Sequence, residues 1–190
     1  MCSPTTRSGR CRPITKPGTE TDDAVVVDLL RGCAGEQLLV VGVGNPSRGD
    51  DAAGLLLGRG VAEALRAAYI AGEDVPEHYT EQMRTGPATQ VLFVDAVDMG
   101  MPPGHIALLR VDDLDDTSIS THKVSLAVLA RLLEAMSGKQ VRLLGIQPRS
   151  LGWGHEVSEP VRAGVERFVR ALTQEPAPTA GEQSVTATGS

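Results

Sequence analysis

Aromatic residues, cysteines and long apolar runs are all scarce in this 190-residue chain. Aromatics make up 3% of it, so Leu, Val, Ile and Ala must build most of the core. The three cysteines, Cys2, Cys11 and Cys33, include no C-x-x-C pair, which argues against a disulfide framework or zinc ribbon and predicts free thiols. No apolar run approaches the roughly 20 residues of a membrane span, and the N-terminus lacks the apolar stretch of a secretory signal. These absences predict a cytoplasmic protein with no membrane partner.

A basic cluster is missing as well. The formal net charge is -6 and no run is rich in Lys or Arg. Because proteins that bind nucleic acids usually carry a basic patch or stripe, we expect no nucleic-acid partner. The sequence also contains no G-x-x-x-x-G-K-[ST], G-x-S-x-G or H-E-x-x-H motif, which excludes the P-loop, serine hydrolase and zincin classes.

Composition along the chain predicts one folded domain between two tails. Residues 1–23 and 174–190 are rich in small and polar residues and are expected to be disordered, which leaves a domain at 25–173. Apolar runs predict strands at 37–44, 91–97, 105–111 and 141–147, and helices are predicted at 51–68, at 124–136 and from about 158 onwards. The polar stretch 71–90 is expected to be irregular. Continuous apolar strands that alternate with helices predict a three-layer α/β/α domain with a mostly parallel twisted sheet.

Acidic and imidazole side chains follow the predicted strands. Asp50 and Asp51 come after the first strand, Asp95 ends the second, and His122 follows the third. In folds of this class ligands bind beyond the carboxyl ends of the strands, so these side chains are expected to converge. Carboxylates and an imidazole suit a divalent cation such as nickel or zinc.

Each of these residues also has an ordinary structural role open to it. Asp50 can cap the following helix, Asp95 can accept hydrogen bonds from backbone amides, and His122 can be a surface histidine. Successive helical residues point about 100° apart, so Asp50 and Asp51 are not expected to reach one spot, and Asp51 is the better ligand. Trp153, after the fourth strand, is interpreted as loop packing, with a substrate platform as the alternative.

Four segments together resemble the hydrogenase maturation protease family. They are GVGNPSRGDDAAG (42–54), VDAVDMGMPPG (94–104), STHKVSL (120–126) and GIQPRSLGWG (145–154). Proteases of this family remove a C-terminal extension from the large subunit of nickel–iron hydrogenases. The sequence VDAVDMG, followed by PPG and later by GIQP, resembles the branch that processes hydrogenases of the formate-hydrogenlyase type.

The resemblance implies an endopeptidase that acts on a hydrogenase large-subunit precursor in which nickel is already seated. It places the contacts to nickel on Asp51, Asp95 and His122, with the metal supplied by the precursor and the two carboxylates as catalytic groups. Gly44 and Asn45 are expected to contact the substrate, because glycine lets backbone and partner approach closely.

The stretch 69–90 departs from the family pattern. Family members have a further strand and a helix there, whereas these residues look too few and too polar for both, which predicts the loss of one strand and part of one helix. That loss motivates an alternative, a checkpoint protein that binds the precursor without cleaving it. A nucleotide-binding protein of similar fold is a second alternative, although Ser47 stands where a dinucleotide fingerprint has its third glycine.

Overall fold

A computed structural model describes residues 22–110, 123–153 and 156–174. The elements in chain order are α1 (Asp23–Arg31), β1 (Leu38–Val43), α2 (Ala53–Leu65), β2 (Ala68–Glu73), α3 (Thr80–Thr85), β3 (Gln90–Ala96), β4 (Ile106–Leu109), α4 (Lys123–Ser137), β5 (Gln140–Ile146) and α5 (Glu159–Thr173), with 3-10 turns at Gly49–Ala52 and Pro76–Tyr79. Apart from residues 22, 23 and 174, the predicted tails lie outside the described residues. None of the described helices is long and apolar enough to cross a membrane.

The five strands form one sheet in the order β2-β1-β3-β5-β4. All neighbouring pairs are parallel except β4, which runs antiparallel to β5. One apolar cluster covers one face with residues of α1, α2 and α5, and a second covers the other face with residues of α3 and α4. The predicted three-layer α/β/α domain with a mostly parallel sheet is therefore confirmed.

Gly54 brings the start of α2 directly onto the sheet. A β-carbon added at this residue would lie 2.7 Å from the carbonyl oxygen of Val94 and 2.9 Å from Cα of Asp95, and it would overlap the carbonyl oxygen of Val43. Only a residue without a side chain permits this approach. The beginning of α2 thus packs against the carboxyl ends of both β1 and β3.

The expectation that a strand is lost between residues 69 and 90 is wrong. β2 pairs in parallel with β1, from Leu39 opposite Ala68 onwards, and the 3-10 turn and α3 follow it. As an edge strand with the sequence AYIAGE, β2 buries only two of its six side-chain positions, so it lacks the continuous apolar run of the central strands. Met83, fully buried, anchors the short α3 to the core.

Two helices differ in detail from expectation. α1 was not predicted from the sequence, and it starts at an N-cap, Asp22, whose side chain accepts a hydrogen bond from the amide of Ala24. In α4, Leu129 and Leu133 are buried, whereas Met136, which continues the same apolar spacing, is 54% exposed. The apolar face of α4 is therefore shorter than its sequence pattern indicates.

Candidate active site

The loop after β1 folds back so that Gly44 touches the backbone of Asp51. Gly44 has a φ of +129°, and a β-carbon there would overlap the carbonyl oxygen of Asp51. The next amide, that of Asn45, donates a hydrogen bond to Oδ2 of Asp51 at 3.0 Å. Asp51 itself is 3% exposed. Gly44 and Asn45 therefore position this carboxylate, and their contact with substrate stays a prediction.

The same loop is anchored to the end of β2. The amide of Gly44 donates to the carbonyl oxygen of Glu73 at 3.1 Å, and Nδ2 of Asn45 donates to Oδ2 of Asp74 at 2.7 Å. Oδ1 of Asn45 in turn accepts from the amide of Ser47 at 2.8 Å. The edge strand that sequence reasoning missed thus holds the loop that positions Asp51.

Asp95 lies near the end of β3, on the strand next to β1, and is fully buried. Its Cα packs against Gly54, which follows Asp51 by three residues. The structure therefore places both carboxylates at one edge of the sheet, as predicted. Burying a carboxylate is costly unless it is hydrogen-bonded, paired or metal-bound, and for Asp51 the amide of Asn45 supplies one hydrogen bond.

His122 lies outside the described residues, and the strand before it, β4, does not run in the direction that the prediction required. β4 is antiparallel to β5, with Ile106 opposite Ile146, so its carboxyl end does not point to the edge that holds Asp95. The adjoining helix supplies a different argument. α4 ends three residues before β5 begins and packs against it, so it runs back along β5 and its beginning at Lys123 lies toward the carboxyl end of that strand.

The donors at this edge are of the right kind for a divalent cation. Carboxylate oxygens bind divalent metals readily, and Asp51 and Asp95 supply two of the three predicted ligands. Within residues 22–110, 123–153 and 156–174, no group of three or more His, Cys, Asp or Glu side chains is arranged to hold a metal ion. The metal site predicted from the sequence thus depends on His122 and stays a prediction.

Asp50, 1% exposed, makes no capping hydrogen bond to α2, contrary to expectation. Its Oδ2 accepts hydrogen bonds from the amides of Arg149 and Ser150, at 2.7 and 3.1 Å, and from Oγ of Ser158 at 2.9 Å. Its Oδ1 accepts from the amide of Ser158 at 2.6 Å. One buried carboxylate therefore fastens the loop between β5 and α5 to the turn that carries Asp51.

Replacing Asp50 by Asn is expected to destabilise the domain by about 2–4 kcal/mol. The amide group of Asn turns a donor toward donors and removes the charge that strengthens these bonds, and each hydrogen bond to a charged group contributes about 1.5–3 kcal/mol. Urea denaturation followed by circular dichroism measures the change. Asp28→Asn is the matched control, because the side chain of Asp28 is 73% exposed. Equal midpoints for the two variants would contradict the role given to Asp50.

Gln147 is a buried polar residue that sequence reasoning did not single out. Its Oε1 accepts from the amides of Met99 and Met101, at 2.7 and 3.2 Å, and its Nε2 donates to Oδ1 of Asp98 at 3.1 Å. The side chain thereby fixes the loop that follows Asp95. A signal was present in the sequence, since Gln147 directly follows the apolar run of β5 at the same sheet edge.

Trp153 does not pack into its loop, so that interpretation is wrong. The side chain is 68% exposed. Its ring lies against the guanidinium of Arg48, with the Cζ atom 5.1 Å from the ring centroid, a cation–π contact between the two loops that Asp50 joins.

Comparison with known proteins assigns the family. The model of a family described as hydrogenase maturation protease, HycI, matches residues 62–175. This chain belongs to the hydrogenase maturation protease family. The match runs through β2 and α3, so the segment that was expected to have lost a strand and part of a helix is part of the family domain.

Individual relatives agree with this assignment. The hydrogenase 3 maturation protease of Escherichia coli K12 is 35% identical over 133 residues, which cover 68% of this chain and 85% of that protein. A crystal structure of the hydrogenase 3 maturation protease superposes with a TM-score of 0.62 at 34% identity, over 72% of this chain and 88% of the other. A [NiFe] hydrogenase maturation protease, HycI, from Thermococcus kodakarensis KOD1 gives 0.65 at 28% identity, over 79% and 99%. The resemblance inferred from the four sequence segments is confirmed.

Proposed function

We propose that this protein removes the C-terminal extension of a nickel–iron hydrogenase large-subunit precursor once nickel has been inserted. The observation that carries the proposal is the pair of buried carboxylates, Asp51 and Asp95, at one sheet edge of a hydrogenase maturation protease. The nickel belongs to the precursor and is part of the substrate. The expected cytoplasmic location belongs to the same proposal.

The chain's own groups divide the work of hydrolysis as follows. Asp51, Asp95 and His122 would contact the precursor's nickel, and a cation held there can polarise a carbonyl or lower the pKa of a water molecule. The amide of Asn45 holds the Asp51 carboxylate in one orientation. A carboxylate at this edge can accept the proton of the water that attacks the scissile carbonyl and pass it to the leaving amine.

The non-cleaving alternative is no longer supported by a missing strand. It rested on the loss of one strand and part of one helix between residues 69 and 90, whereas β2 is present there and the short helix α3 follows it. The structure does not favour a nucleotide-binding function either. The buried Asp51 carboxylate lies at the loop where a phosphate would bind, and it would repel that phosphate.

Intact-mass spectrometry of the large-subunit precursor, nickel-loaded or nickel-free, tests the proposal. After incubation with this protein we expect a C-terminal peptide to be lost from the loaded form alone. Equal loss from both forms would overturn the dependence on nickel. No loss from a loaded precursor that a related protease does cut, under the same conditions, would overturn the endopeptidase assignment.

A further inference from the structure

The pair formed by Arg48 and Trp153 is fixed to the candidate active site from both sides. The carbonyl oxygen of Arg48 accepts a hydrogen bond from the amide of Asp51 at 2.9 Å. Trp153 follows the two amides that Asp50 binds, those of Arg149 and Ser150, by only a few residues. The indole ring and the guanidinium thus sit at the rim of the site in a defined place.

Packing within the protein leaves most of the Trp153 side chain in solvent. At 68% exposed, it is the most exposed large apolar side chain among the described residues. A large aromatic side chain kept in solvent loses the favourable free energy of burial, and Trp is among the residues that contribute most when buried at a binding surface. A peptide bound at the adjoining candidate site could bury part of this ring.

Arg48 adds a polar group to this surface. Among the described residues its guanidinium makes no ion pair, its Nε is buried without a hydrogen-bond partner, and its Cζ lies over the indole of Trp153. A guanidinium carries five N–H donors in a planar fork and no acceptor. A guanidinium that lies over an aromatic ring can still donate hydrogen bonds to an oxygen atom.

We propose that Trp153 and Arg48 form a docking surface for an extended segment of the precursor next to the scissile bond. An apolar side chain of the segment lies on the indole, and a backbone carbonyl oxygen of the segment accepts from Arg48. This inference rests on the proposed function for the identity of the partner. It concerns residues that bind the peptide and take no part in bond cleavage.

The chain contains one tryptophan, which makes the surface directly observable. Protein labelled with 5-fluorotryptophan has a single ¹⁹F resonance from Trp153, and adding unlabelled nickel-loaded precursor is expected to shift or broaden it. An unchanged resonance at precursor concentrations that saturate cleavage would overturn the docking surface and leave the proposed function standing. A changed resonance without cleavage would support the surface and count against the endopeptidase assignment.

Kinetics supply the second test. We expect Trp153→Ala and Arg48→Ala to raise KM for the nickel-loaded precursor about 10-fold or more with little change in kcat, as for residues that bind ground state and transition state alike. Trp153→Phe should restore part of the loss. Leu132→Ala is the control for removing an exposed apolar side chain, because Leu132 on α4 is 45% exposed and is assigned no role. KM values equal to that of Leu132→Ala would overturn the proposal.

Discussion

Asp51→Ala, Asp95→Ala and His122→Ala are each expected to reduce cleavage of the nickel-loaded precursor by about 10³-fold or more. Removing a group that acts on developing charge in the transition state costs about 10²–10³-fold, and here the same groups are also expected to seat the metal of the substrate. The measurement is the rate at which the shortened large subunit forms, followed by intact mass at saturating precursor.

The three variants must also remain folded for this result to carry weight. Replacing Asp51 leaves the amide of Asn45 without its acceptor, at a cost of about 1–3 kcal/mol, which a domain of this size tolerates. Circular dichroism and urea denaturation check this, and Asp28→Ala, which removes an exposed carboxylate, is the control for rate. Wild-type rates in all three variants would refute the site, whereas a wild-type rate for His122→Ala alone would restrict it to the two carboxylates.

Gly54→Ala is expected to destabilise the domain by about 3 kcal/mol or more. The added β-carbon meets backbone atoms of β1 and β3, which cannot move without disrupting two central strands, and overpacking of a core costs about 1–3 kcal/mol even where side chains can adjust. Because the strain falls beside Asp95, we also expect cleavage activity to decline. Urea denaturation at equal protein concentration measures the loss of stability.

Gly60→Ala provides the matched control on the same helix. The three nearest neighbours of a β-carbon there would be side-chain atoms of Val169, with Cγ2 at 2.6 Å, so the strain falls on one side chain and not on the backbone of the sheet. Alanine is also the better helix former by about 1 kcal/mol, so the net change should stay within about 1 kcal/mol of zero. Similar denaturation midpoints for Gly54→Ala and Gly60→Ala would show that the close approach of α2 to the sheet is not required.

The parts of the fold that the sequence predicts well are those in which local pattern and burial coincide. β1, β3 and β5 are buried along most of their length and read as continuous apolar runs, and the rule about the carboxyl ends of parallel strands then places Asp51 and Asp95 together. β2 was not predicted because it is an edge strand with few buried residues, so its sequence lacks a continuous apolar run. The direction of β4 was not predicted either, because an apolar run does not show whether a strand pairs in parallel or antiparallel.

Two residues near the site, Asp50 and Trp153, were given the wrong structural role because their contacts are with residues distant in the chain. Asp50 resembles a helix cap when only its neighbours in sequence are considered. In the structure its carboxylate accepts hydrogen bonds from Arg149, Ser150 and Ser158. Trp153 looks like a packing residue for the same reason, because its stacking partner Arg48 belongs to another loop. Tertiary context of this kind leaves no periodic signal in the sequence.

The separation in sequence between Asp50 and the residues that donate hydrogen bonds to it also bears on the order in which the domain is completed. The bonds to Arg149 and Ser158 span 99 and 108 residues. Contacts so distant in sequence require a large loop to close, and they are the kind that slow folding. During synthesis Asp50 leaves the ribosome long before residues 149–158 exist, so the rim that holds Trp153 beside Arg48 is among the last parts of the domain to form. A chain that ends before residue 149 lacks the residues that donate to Asp50 and cannot form this rim.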